Sequence, residues 1–292
     1  MTPTMRPEAD PAAMRTAIVT GAASGIGRGL AEELAAKSVF VVLADRQVEL
    51  AQQAADGIRE KGGDAVALEL DVRDLARFRE AVDFATARWG RLDFLFNNAG
   101  IAVGAEADDL TAADWVDVID VNVKGVAHGV LAAYPLMIRQ GFGHIVNTAS
   151  MAGLVPAALT VSYTATKYAV VGLSRALRIE ARRHGVKVSV ICPGIVRTPI
   201  WDGGRFGRLD PSIDRVEMAR QAEFLHPPSS NDFARKVLRA VEKNRAVIVE
   251  PKWWRVFWYM DRLSPWLVER LAERLVRTAV PRFRRAKPSS LR

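Results

Sequence analysis

One cysteine, Cys192, stands in the whole chain, which excludes an internal disulfide framework and any zinc cage built from thiolates. It is expected to be a small core residue. Histidine is scarce too: His128, His144, His184 and His226 are scattered without ligand spacing, and no metal site is expected. No uninterrupted apolar run approaches the roughly 18–20 residues that span a bilayer. The start, Met1 to Arg15, has no apolar stretch and carries Pro3, Pro7 and Pro11, so it reads as a disordered N-terminus over 1–14, not as a secretory signal. A reducing, cytoplasmic setting is the expectation. Low-complexity, collagen-like and coiled-coil repeats are absent as well.

What is present is the composition of a folded protein: 292 residues, 49% hydrophobic and 25% charged. The net charge of +8 is not spread over it. Residues 251–292 hold eleven Lys and Arg against three Asp and Glu, so the excess lies wholly in the tail and residues 1–250 are neutral. Nucleic acid is therefore not expected as a partner; the charge belongs to a local feature.

Short β-branched runs alternate with longer helical patterns. Strands are expected at Ala17–Thr20, Val39–Ala44, Ala65–Leu70, Leu92–Phe96, His144–Thr148, Val186–Ile191 and Ala246–Glu250. Helices are expected from the glycines after Thr20 to near Lys37, then over Leu50–Lys61, Thr111–Gln140 and Tyr163–His184. Fully apolar strands joined by crossover helices give a parallel sheet covered on both faces, a doubly wound α/β domain of Rossmann type over 15–250 with seven strands. Residues 197–230, glycine-rich and irregular after the sixth strand, are expected to form a lid.

Thr20-Gly21-Ala22-Ala23-Ser24-Gly25-Ile26-Gly27 falls between the first strand and the first helix. Glycines there permit a tight turn and close approach of backbone to a pyrophosphate on the helix N-terminus. A glycine-rich turn with no ligand has the same local sequence. Asp45 ends the second strand, where a carboxylate accepts from a ribose 2′-hydroxyl and repels a 2′-phosphate, favouring NAD over NADP; Arg46 beside it offers the opposite preference. Tyr163 and Lys167 are one helical turn apart and share a face, so an ammonium adjoins a phenol whose ordinary pKa of about 10 makes it a poor acid or base at neutrality. Ser150, at the end of the fifth strand, is in reach of a substrate oxygen, although Ser150 also suits an N-cap.

Together these residues resemble the short-chain dehydrogenase/reductase family, in its simple single-domain branch, over roughly residues 15–250. The resemblance rests on Thr20–Gly27, Asp71-Val72, Asn97-Asn98-Ala99-Gly100, Asn122, Ser150, Tyr163, Lys167 and Pro193-Gly194 with Thr198. It implies that Tyr163 is the acid in reduction and the base in oxidation. Lys167 would lower the phenol's pKa and hold the nicotinamide ribose, Ser150 would orient the reacting oxygen, and Asn122 would anchor a proton relay. Gly21, Ser24, Gly25, Ile26 and Gly27 would cradle the phosphates. Asp71 and Val72 would meet the adenine, Asn98, Ala99 and Gly100 its ribose, and Pro193, Gly194, Val196 and Thr198 the nicotinamide end. Trp201, Phe206 and Phe224 are expected either to line an apolar substrate pocket or to pack the lid down.

Beyond Pro251, outside the resemblance, Trp253, Trp254, Phe257, Trp258 and Tyr259 are interleaved with Lys252, Arg255 and Arg262. Ser264-Pro265 reads as the start of an amphipathic helix with Leu267, Leu271 and Leu275 on one side. Such a segment suits an anionic membrane surface, or an interface with a sister subunit, since many family members are dimers or tetramers. The expectation is an NAD(P)-dependent oxidoreductase interconverting a secondary alcohol and a ketone on a hydrophobic steroid-, terpenoid- or lipid-like substrate. The alternative is a membrane-peripheral nucleotide-binding scaffold without turnover, which has no use for a paired phenol and ammonium.

Overall fold

The computed structural model describes residues 14–201, 207–210 and 214–283. The expected disorder of the N-terminus and Phe206 lie outside them, as do residues 284–292 of the basic tail. The strands are β1 (Arg15–Thr20), β2 (Val39–Asp45), β3 (Ala65–Glu69), β4 (Phe94–Asn97), β5 (Ala102–Gly104), β6 (Gly143–Thr148), β7 (Val186–Pro193), β8 (Gly207–Leu209) and β9 (Val247–Glu250). Seven of them form a wholly parallel sheet in the order β3-β2-β1-β4-β6-β7-β9, while β5 and β8 make a separate parallel pair.

Helices α1 (Gly25–Ala35), α2 (Val48–Glu60), α3 (Leu75–Trp89), α4 (Ala112–Ile119), α5 (Gly125–Gln140), α6 (Val161–Ala181), α7 (Arg215–Phe224), α8 (Ser230–Glu242), α9 (Arg255–Leu263) and α10 (Pro265–Phe283) complete the described elements. One face of the sheet packs Val19, Leu43 and Phe96 against Leu30, Ala55 and Phe233 of α1, α2 and α8. The other packs Ile18, Leu95 and Ile145 against Phe78, Met137 and Ala181 of α3, α5 and α6. Because both faces are covered, the central strands carry apolar residues at successive positions and not in alternation.

The chain runs outward from β1 to β3 and then returns to β4 on the other side of β1. Loops after β1 and β4 therefore part in opposite directions and leave a crevice at the carboxyl ends of the strands. Thr20, buried at the tip of β1, ties the two loops together: its Oγ1 accepts from the backbone N of Asn98 and of Ala99, 3.0 Å each, and donates to Phe96 O. Asn98 answers through Nδ2, which donates to Thr20 O at 3.1 Å.

The helical pattern expected over Thr111–Gln140 is present but broken by a π-helical turn at Asp120–Lys124, which swings Asn122 into the interior. Within residues 112–140 an 18-residue stretch reaches a mean hydropathy of 1.2, so by length and composition alone the helix could cross a bilayer. Uninterrupted apolar runs do not disclose this, because Asp114, Asp117, Asp120 and Lys124 divide it; in the fold it packs on α3, α6 and the sheet. The segment expected as a lid has regular structure among its described residues. It contains β8 and the whole of α7, whose N-cap Asp214 accepts from the N–H groups of Val216 and Glu217. Arg208 on β8 pairs with Asp114 on α4 at 2.5 Å and fastens the β5–β8 pair to the body.

Candidate active site

A cavity of about 510 Å³ opens along the crevice, from Asp45, Arg46 and Asp71 at one end to Ser150, Tyr163 and Lys167 at the other. At its first end the turn after β1 makes the floor. Gly21 sits at φ +65, and a Cβ on Gly27 would lie 2.1 Å from Gly21 O, so only glycine lets helix α1 start that close to the turn. Ser24 is the N-cap of α1 in extended conformation without a side-chain cap bond, and Ser24, Gly25 and Ile26 line the cavity. Asp45, buried at the tip of β2, is fixed by backbone donors: Ala23 N to Oδ2 and Gln47 N to Oδ1, both at 3.0 Å. Arg46 and Val72 border the same end. Asp71 is engaged by Arg73, whose Nη2 stands 2.5 Å from Oδ2, and that guanidinium holds the carboxyl below its ordinary range.

At the far end Ser150 closes β6 and caps the short turn Met151–Gly153, its Oγ accepting from Ala152 N at 3.1 Å. Tyr163 and Lys167 project from the first turns of α6 into the cavity, and the ammonium Nζ stands 5.3 Å from the centre of the phenol ring. Nζ donates to Thr148 O at 3.0 Å. Asn122 does not line the cavity. It is fully buried behind it, where its side chain accepts from Ile101 N and donates to Ile101 O, both at 2.9 Å, and reaches Thr166 Oγ1 at 3.1 Å. It thus ties the loop after β4 to the helix that carries Tyr163.

The electrostatics differ from the sequence expectation in one respect. Burial pushes the Tyr163 phenol up to about 12, opposed by its hydrogen bond with Ser150. Burial likewise brings the Lys167 ammonium down to about 8. Desolvation disfavours the charged form of each, and it is the largest influence on both groups. Cys192 is fully buried beside them and its thiol is also raised to about 12. It is no nucleophile in this state.

The sequence-selected residues Gly100, Pro193, Gly194, Val196 and Thr198 all line the cavity. Of the three lid aromatics, Phe206 lies outside the described residues. Phe224 lies on α7, 81% exposed, and is not part of the cavity wall; Trp201 ends the turn Pro199–Trp201, whose Ile200 does line it. The apolar end is instead made by Met151, Ala152, Val155, Ile195, Ile200 and Trp254. Met151 and Ile195 stand next in sequence to Ser150 and Gly194, a signal available before the structure. Trp254 gave no such signal.

Residues 15–205 match the family model described as short chain dehydrogenase. This chain belongs to the short-chain dehydrogenase family. A cyclohexanol dehydrogenase of Acinetobacter sp. (strain SE19) is 37% identical over 187 residues, 64% of this chain and 74% of its own. The oxidoreductase UcpA of Salmonella typhimurium is 37% identical over 209 residues, 70% of this chain and 79% of its own. Among solved structures, a short-chain dehydrogenase/reductase from Burkholderia phymatum in complex with NAD superposes with a TM-score of 0.78 at 31% identity, covering 89% of this chain and 96% of that one. Levodione reductase gives a TM-score of 0.72 at 30% identity, covering 81% and 95%. The enzymes of this family are NAD(P)-dependent oxidoreductases, and the residues present fit such a cofactor: Gly21 and Gly27 let the start of α1 lie against the turn after β1, and the cavity extends from Asp45 to Tyr163.

Proposed function

We propose that the chain interconverts a secondary alcohol and a ketone on an apolar substrate, using NAD in preference to NADP. The observation that carries this reading is Tyr163 and Ser150, hydrogen-bonded to each other at the end of a dinucleotide-shaped cavity whose walls there are apolar. The 37% identical relative named for cyclohexanol supports an alicyclic alcohol class.

A bound nicotinamide supplies the hydride acceptor for oxidation and the donor for reduction. Gly21, Ser24, Gly25, Ile26 and Gly27 hold the phosphates, and Asp45 accepts from the adenosine ribose and repels a 2′-phosphate. Ser150 donates to the substrate oxygen. Tyr163 takes the hydroxyl proton in oxidation and returns it in reduction. Lys167 holds the nicotinamide ribose, and Asn122 keeps the Ile101 loop and α6 in register behind it. The raised phenol pKa makes oxidation favour alkaline pH, since the base form grows as pH climbs toward 12.

Two partner assignments belong to the same reading. Exposed apolar side chains on α4, α5 and α6 (Val116, Leu131 and Ile179 at 55%, 54% and 80%) supply surface for a homodimer or homotetramer. The cationic, aromatic extension holds an otherwise cytoplasmic enzyme at an anionic membrane surface. The reading is tested by following reduced nicotinamide absorbance with a panel of alicyclic, terpenoid and steroid alcohols and ketones, NAD and NADP side by side. Turnover of apolar alcohols with NAD is expected. Tight NAD binding without turnover of any of them would favour the scaffold alternative.

A further inference from the structure

The extension beyond β9 is not only an appendage to the body. After Gly194 N donates to Glu250 O at 2.9 Å, the chain makes a short turn over Lys252–Trp254 and lays the Trp254 indole back onto Gly194. A Cβ on residue 194 would lie 2.1 Å from Trp254 Nε1, so a glycine there is what admits the ring. The indole is half-buried, packs with the core group that contains Met151 and Cys192, and forms part of the cavity wall. Its other face is braced: Trp253 stacks on it at 4.5 Å between centroids, and Phe257 of α9 lies 5.5 Å away. Helix α10, which follows α9, packs in turn on the lid helix α7.

We infer that Trp254 is a size-determining residue for the substrate. Its ring closes the apolar end of the cavity next to Met151 and sets how large an alicyclic body fits beyond the reacting carbon. A planar, two-torsion side chain held by stacking makes a firm wall, where a flexible aliphatic one would yield. The ring packs with Gly194, Trp253, Phe257 and the apolar core group around Met151, so its effect is assigned to the substrate's apolar portion. This inference rests on the alcohol–ketone reading proposed above, and the experiment separates the two.

The test compares kcat/KM for cyclohexanol and cyclododecanol in the full-length enzyme, Trp254→Ala and Trp254→Phe. The alanine variant is expected to shift the ratio toward the larger ring by tenfold or more. The phenylalanine variant, which keeps an aromatic wall, should shift it by less than threefold, and the NADH dissociation constant should stay within twofold in both. A loss of both activities in proportion, with the ratio unchanged, overturns the inference and leaves Trp254 a packing residue. If the wild-type enzyme turns over neither alcohol, the reaction reading fails on its own. The wall is then read without turnover by calorimetric titration of cyclohexanone and cyclododecanone into NADH-loaded protein. There, an unchanged affinity ratio in Trp254→Ala overturns the inference and a tenfold shift toward the larger ketone upholds it.

Discussion

Two buried side chains one turn apart, Tyr163 and Lys167, show how residue type and surroundings divide the work of a pKa. Spacing alone suggests an ammonium that acidifies a phenol; the structure adds that both have lost their water, and desolvation moves each toward its neutral form. Asp45 is the other residue whose surroundings decide its use. Two backbone N–H groups already fix its carboxylate at the tip of β2, so under the proposed function it would meet a ribose pre-oriented. Asp45→Ser should therefore raise kcat/KM with NADP relative to NAD by about tenfold, the equivalent of roughly 1.4 kcal/mol. Initial rates with both cofactors check this, and an unmoved ratio would mean that another group, Arg46 foremost, sets the preference. That these residues would share one cavity was largely legible in the sequence, because Thr20–Gly27, Asp45, Ser150 and Tyr163 each stand at or near a strand end or a helix start. Trp254 was not, since its partner Gly194 lies sixty positions away and only the fold joins them.

Elements were legible where they are apolar throughout. The strands of the large sheet follow from β-branched runs, whereas α3 does not stand out. Only Phe78, Ala81, Val82 and Ala85 are buried, and the exposed Arg77, Arg79, Glu80 and Asp83 break up any run. The π turn at Asn122 has no sequence period of its own, so a single long helix was the natural reading. The extension is where element-scale patterning speaks most directly to function. On α9 and α10, Leu263, Trp266 and Leu275 are 86%, 61% and 67% exposed, and Arg270 lies 4.5 Å over the Trp266 ring. Exposed apolar rings with cations beside them match the boundary of an anionic bilayer. The full chain should co-sediment with phosphatidylglycerol vesicles at low salt. Serine at positions 263, 266 and 275 together should cut binding about tenfold or more, since each buried side chain contributes up to roughly 1.5–3 kcal/mol. Equal sedimentation of the two proteins would contradict the membrane assignment.

For the molecule as a whole, a covered parallel sheet both positions the site and makes stability depend on acidity. His144, at the start of β6, is buried, with Nε2 2.9 Å from Ser189 Oγ, and burial lowers its pKa from 6.5 to about 3. Above pH 6.5 neither folded nor unfolded chain binds a proton there; below it the unfolded chain does and the folded one does not, so stability falls as pH drops toward 3. His144 adds a slope of at most about 1.4 kcal/mol per pH unit in that window. Urea midpoints from pH 4 to 6.5 should decline less steeply in His144→Gln than in the wild type, and parallel slopes would remove His144 from the account. The switch in strand order between β1 and β4 brings the Gly21–Gly27 turn, Tyr163 and the apolar wall into one cleft, and the central claim is that Tyr163 moves the proton there. The most direct measurement is kcat for an apolar secondary alcohol in Tyr163→Phe beside the NADH dissociation constant of the same variant. The account predicts a loss of about 10²–10⁴ in turnover, with the dissociation constant little changed. Near-normal turnover in that variant would contradict it.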